Sequence, residues 1–123
     1  MSLFQRGNFQ LHSGEWSWWK IECDELTDED LEVLAAIIAG WYPQQFGDVL
    51  GVPRGGMRLA AALTKYRRPD HRTLLIVDDV LTTGTSMDEV AASTDRPHLG
   101  AVIFARAKPR AWIRPVFQLW ATP

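Results

Sequence analysis

From residue 47 onward, short apolar runs alternate with segments of helical pattern, and this alternation constrains the fold more than any other feature of the chain. GDVLGVP reads as a strand ending in a turn, and RGGMRLAAALTKY as a helix opened by two glycines. TLLIVDDV reads as a buried strand, SMDEVAAS as a short helix, and AVIFARA and PVFQLWA as two further strands. A strand with one wet face alternates apolar and polar residues; near-continuous runs such as LLIV are covered on both sides. The expected class is α/β, a mainly parallel sheet with helices on both faces. Ligands of such sheets bind beyond the carboxyl ends of the strands. Two loops, GVPRGG and DDVLTTGTS, fall at that edge.

Ahead of this region stand two brief strands, Phe9/Leu11 and Trp16/Trp18, flanking the turn His12-Ser13-Gly14-Glu15, and one helix. In TDEDLEVLAAIIAGWY, Thr27 and Asp30 have the spacing of a capping box. Leu31, Leu34, Ile38 and Trp41 then share one helical face, with Gly40 and Pro43 expected to close it. At 123 residues the chain is expected to form one domain with a single core. A net charge of −2 offers no broad field for nucleic acid or an anionic membrane. The lone Cys23 cannot form an intrachain disulfide and reads as a packing residue. Without a secretion-like N-terminus or an apolar run near about 18 residues, the expected location is cytoplasmic.

The stretch LLIVDDVLTTGTS carries the chemistry. Thr82, Thr83, Thr85 and Ser86 supply hydroxyls, and Gly84 permits a tight turn directly before a helix. The first amides of a helix lack internal partners, so hydroxyls, amides and the positive helix end together suit a phosphate dianion. Thr85 or Ser86 acting only as a helix cap is the simpler alternative. Asp78 and Asp79 would repel that anion if they faced it, so they fit a partner of opposite polarity: sugar hydroxyls, a magnesium ion or a developing positive charge; two acids capping loop amides at a strand end are the simpler alternative. A ribose 5-phosphate has anion at one end and a diol with an electrophilic carbon at the other.

These thirteen residues resemble the signature of the type I phosphoribosyltransferases. The resemblance implies that Asp78 and Asp79 lie by the ribose hydroxyls of phosphoribosyl pyrophosphate, as catalytic residues and direct or indirect ligands of Mg2+. It also implies that Thr82, Thr83, Gly84, Thr85 and Ser86 cradle the 5-phosphate. GVPRGGMRLA is similar to the family's pyrophosphate loop, in which Arg54, Gly55 and Gly56 would meet the diphosphate. FQLHSGEWSWWKIE resembles the hood of orotate phosphoribosyltransferases, with Phe9, Leu11, Ser13, Gly14, Ser17, Trp18 and Trp19 fitting the pattern. The hood would be residues 1–22 and the core 23–123. Trp18 and Trp19 would stack on a flat base, and Arg106 stands where those enzymes carry an arginine that can meet it; a surface arginine at a strand end is the alternative.

Three departures stand beside the resemblance. His12 replaces a lysine usually directed at the diphosphate, and Ala105 precedes Arg106 where the family has aspartate. The chain is also short for the family: KYRRPDHR, residues 65–72, stands in place of a strand and a lysine-rich catalytic lid. Its basic cluster reads as a solvated turn. The expected function is transfer of ribose 5-phosphate to a nucleobase, orotate-like by the hood, although the RGG loop is also similar to purine-type enzymes. The partners expected are phosphoribosyl pyrophosphate, a base and a second subunit in a homodimer, with no nucleic acid or membrane. The rival is a regulatory module that binds phosphoribosyl pyrophosphate without turnover. A phosphoacceptor signalling domain, which shares "IVDD", fails because its acidic pair follows the first strand.

Overall fold

The computed structural model describes residues 2–119. The chain runs β1 (Phe4–Gln10), β2 (Trp16–Ile21), α1 (Asp28–Trp41), β3 (Asp48–Gly51), α2 (Met57–Leu63), β4 (Leu74–Leu81), α3 (Thr85–Ala92), β5 (His98–Ala105) and β6 (Ile113–Gln118). Strands β3, β4, β5 and β6 form one parallel sheet in that order, while β1 and β2 form a separate antiparallel hairpin. The last strand ends earlier than PVFQLWA suggests; Trp120 and Ala121 lie outside the described residues.

Helix α1 begins as its sequence implies. Thr27 Oγ1 accepts from the Asp30 N–H at 3.0 Å, and Asp30 Oδ2 accepts from the Thr27 N–H at 2.8 Å. Such a cap is worth about 1 kcal/mol. Leu31, Leu34, Ala35, Ile38 and Ala39 make the buried face. Gly40 does not close the helix, which continues to Trp41. Its backbone stays out of the left-handed conformation a terminating glycine uses, and the cap falls on Tyr42, just before Pro43.

Each central strand is buried on two sides. Leu75, Val77, Ala101 and Ile103 meet Ile38 of α1 and Leu59 and Leu63 of α2, whereas Ile76 and Val102 meet Met87 of α3. A fully buried Ile or Leu contributes about 1.5–3 kcal/mol, which is why LLIV lies in the middle of the sheet. Helices α2 and α3 therefore occupy opposite faces. Yet β3–α2–β4 and β4–α3–β5 step the same way across the sheet, so the two crossovers have opposite hands. One of them has the uncommon left-handed sense. The short return from α2 to β4 is fastened to the start of β3 by Gly47 N–H to Thr73 O and Arg68 N–H to Phe46 O, both 2.8 Å.

The hairpin joins the sheet through aromatics. Phe104 of β5 meets Phe4 edge-on at 5.9 Å and stacks on Phe117 of β6 at 5.4 Å. A register shift between Arg6 and Phe9 bends β1.

Candidate active site

A cavity of about 690 Å³ opens at the carboxyl ends of β3 and β4, with the hairpin as its opposite wall. The sheet side brings Pro53–Gly55, Asp78, Asp79, the Thr82–Gly84 loop and Ser86 to that space. His12 and Arg106 line it as well.

The loop after β4 is built to receive an anion. Gly84 has φ of 90° and is the N-cap of α3, so the cap position has no side chain of its own to close the helix. The alternative in which Thr85 or Ser86 merely caps the helix is therefore not what forms. Thr83 Oγ1 takes the Thr85 N–H at 3.3 Å, a long bond that a ligand oxygen can replace. Thr85 itself opens α3 without lining the cavity.

Asp78 and Asp79 sit half-buried beside this loop. Asp78 Oδ1 accepts from the Asp79 N–H at 2.8 Å, and Asp79 Oδ1 from the Val80 N–H at 2.7 Å. Among the described residues neither forms an ion pair, and both line the cavity. Burial, and then the charge of Asp79, push the Asp78 carboxyl up to about 8. A cation placed at the pair would offset both the lost solvation and the repulsion between the two acids. Behind it lies Cys23, whose thiol is pushed well above its ordinary value by burial and by Asp79, Glu22 and Asp78. That residue is an inert, packed thiol, as its sequence context suggests.

The loop after β3 closes over the acids. A Cβ on Gly55 would collide with the Asp79 carboxylate, so any larger residue here displaces that acid. The Pro53–Arg54 peptide is cis. Arg54 lines the cavity and forms no ion pair among the described residues. Gly56 lies behind, against the Val77 carbonyl, and opens α2 without reaching the cavity.

The hairpin wall differs from expectation. Trp18 is 67% exposed, and neither Trp18 nor Trp19 lines the cavity; Trp16 does. Strand alternation turns Trp19 to the sheet side of β2, where the Arg106 guanidinium covers its ring at 3.6 Å. Arg106 also donates to Trp19 O at 3.3 Å and to Ser17 Oγ at 2.9 Å. It is a fixed, half-buried cation and not a loose surface arginine. Lys20 was not singled out in the sequence, yet it lines the cavity, pairs with Glu22 at 3.0 Å and lies over the Phe9 ring at 4.9 Å. Its two-residue spacing from Trp18 and Trp16 on one strand was the available signal. Residues 65–72 contribute nothing to the cavity wall.

Solved structures share this fold. The orotate phosphoribosyltransferase from Aeropyrum pernix superposes with a TM-score of 0.74 at 24% identity, over 94% of this chain and 88% of that one. The fold is that of the type I phosphoribosyltransferases. The orotate phosphoribosyltransferase of Mycobacterium tuberculosis H37Rv, in complex with Fe(III) dicitrate, gives 0.68 at 18% identity over 94% and 89%. A phosphoribosyltransferase from Corynebacterium diphtheriae gives 0.66 at 13%, over 84% of each chain. No family model matches the sequence, and no curated protein matches it. A phosphoribosyltransferase fold with an all-parallel sheet is thus reached through tertiary structure at low identity.

Proposed function

We propose that the protein transfers ribose 5-phosphate from phosphoribosyl pyrophosphate to a nucleobase nitrogen, with an orotate-like pyrimidine as the favoured acceptor. The single observation carrying this reading is the cavity itself, where a threonine-rich helix start capped by glycine and two acids without ion-pair partners among the described residues line one space. The loop Thr82–Ser86 binds the 5-phosphate, and Arg54 with the Gly55 backbone meets the diphosphate. Asp78 and Asp79 face the ribose. As the base attacks C1 and diphosphate departs, positive charge grows on the sugar ring, and the carboxylates stabilise it. At about 4 Å and an effective dielectric near 20, a unit charge pair is worth about 4 kcal/mol. Arg106, held over Trp19, offers a donor fork to an acidic base.

Among the described residues no three His, Cys, Asp or Glu side chains gather as a metal cage. Two carboxylates beside a phosphate site do suit Mg2+, which keeps water and substrate oxygens as most of its ligands. Asp78 and Asp79 would hold it, directly or through water, and it would neutralise the leaving diphosphate. Homodimer formation and a cytoplasmic location complete the proposal; among the described residues no helix is long and apolar enough to cross a membrane.

The regulatory reading keeps one observation in its favour. The turn that stands in place of a lid is fastened to the body through Lys65–Glu32 and Arg67–Asp48 at 3.9 Å, is braced internally by Arg68–Asp70 at 3.2 Å, and stays off the cavity. Diphosphate release from phosphoribosyl pyrophosphate and Mg2+, across orotate, uracil, hypoxanthine, guanine, xanthine and adenine, separates the two. Turnover with any base supports the transferase. Binding without turnover supports the regulator.

A further inference from the structure

Arg110 belongs to none of the residues assigned above, and it comes from the connection between β5 and β6. It nevertheless reaches the phosphate loop. Its Nη1 donates to the Thr83 carbonyl at 3.0 Å, and its Nε and Nη2 donate to Asp88 Oδ2 at 3.1 and 2.7 Å. The same Nη1 lies 3.0 Å from where a Gly84 side chain would begin. The guanidinium thus lies over the turn that the phosphate reading requires.

Asp88 poses an electrostatic problem for that turn. It is the acidic residue in the first turn of α3, where an acid ordinarily benefits from the helix dipole. A dianion seated on the same helix end competes for that benefit and is repelled by the carboxylate. Arg110 removes the conflict by pairing with Asp88, and it fixes the loop carbonyl that would otherwise be free to turn toward the anion. We propose that Arg110 is a positioning residue for the 5-phosphate: it holds Thr83 and cancels Asp88, so the Thr82–Ser86 loop remains open to a dianion. The inference rests on the phosphate reading of that loop.

Electrostatics and simple stapling predict different outcomes for Asp88→Asn. If the pair is only a staple, losing either partner has the same effect. If Arg110 offsets Asp88, removing the acid leaves a cation beside the loop and does no harm to anion binding.

The test is equilibrium binding of ribose 5-phosphate and of inorganic phosphate to the full chain by calorimetry, with folding checked by circular dichroism. Arg110→Ala is expected to weaken ribose 5-phosphate about tenfold, since both partners are partly exposed and each contact is modest. Asp88→Asn is expected to bind at least as tightly as wild type. The double variant is expected to recover to within about threefold of wild type. Should Arg110→Ala fail to fold, Arg110→Gln removes the charge while keeping a donor for Thr83. Equal weakening by Asp88→Asn and by the Arg110 variant overturns the inference, as does an Arg110 variant that binds like wild type. A wild-type chain that binds neither probe overturns the phosphate reading itself, and the inference with it.

Discussion

The two walls of the cavity are built on different principles. The sheet wall is mostly main chain: loop amides, a helix start, glycine backbone and two acids whose oxygens are fixed by neighbouring amides at 2.7–2.8 Å. These groups follow directly from the ends of buried strands. The hairpin wall is made of side chains on a two-stranded ribbon with exposed Trp16 and Trp18, held to the sheet through Phe4, Phe104 and the Arg106 contacts. In the proposed reading, the main-chain wall meets the sugar and its phosphates, and the side-chain wall meets the base.

Substitutions on each wall sharpen or break this contrast. The largest effect is expected from Asp79→Asn on the sheet wall, which should lower turnover about 10²-fold or more, at about 1.36 kcal/mol per decade. Steady-state rates within about threefold of wild type would remove Asp79 from the chemistry.

Asp78→Asn tests the same wall by stability. Below about 4 the Asp78 carboxyl is protonated in folded and unfolded chains alike, so it imposes no penalty there. Between the ordinary value of 3.8 and the folded value of about 8, the unfolded chain gives up its proton and the folded chain retains it. Stability therefore falls as pH rises through that window and stays lowered above it. Thermal melts from pH 4 to 9 should show this decline in wild type. Asp78→Asn should flatten it and raise Tm by several degrees at pH 8, while activity drops. An unchanged pH profile would mean that Asp78 is not the group that retains the proton.

On the hairpin wall, Arg106→Ala should raise KM for the base about tenfold with little change in KM for phosphoribosyl pyrophosphate, because one charge-assisted contact is lost. Equal rises for both substrates would dissolve the division between walls. The smallest effect belongs to Trp18→Ala. Because the ring points to solvent, base KM should stay within about twofold of wild type, and a tenfold rise would put Trp18 back at the base.

Much of the sheet wall was legible in the sequence for a local reason. Four apolar residues, two acids, a glycine and hydroxyls in direct succession specify strand, turn and helix start without help from elsewhere. The opposite-handed crossovers were not legible, since LLIV is equally apolar whichever face a helix covers. The hairpin's tryptophans show the same limit: composition supplied the aromatics, but register and alternation decided which ring faced the cavity.

The sequence alone determined where the strands lie and which loops follow their carboxyl ends, because these depend on neighbours within a few residues. Only the tertiary structure decided that Arg106 is held by Ser17, 89 positions away, and that Arg110 lies on Thr83, 27 positions away. It also decided that the Asp78 carboxyl is raised above its ordinary value, through burial by packed neighbours and the charge of Asp79. Charges and hydrogen bonds act through space over a few ångströms, and nothing in the order of residues fixes those distances until the chain has packed.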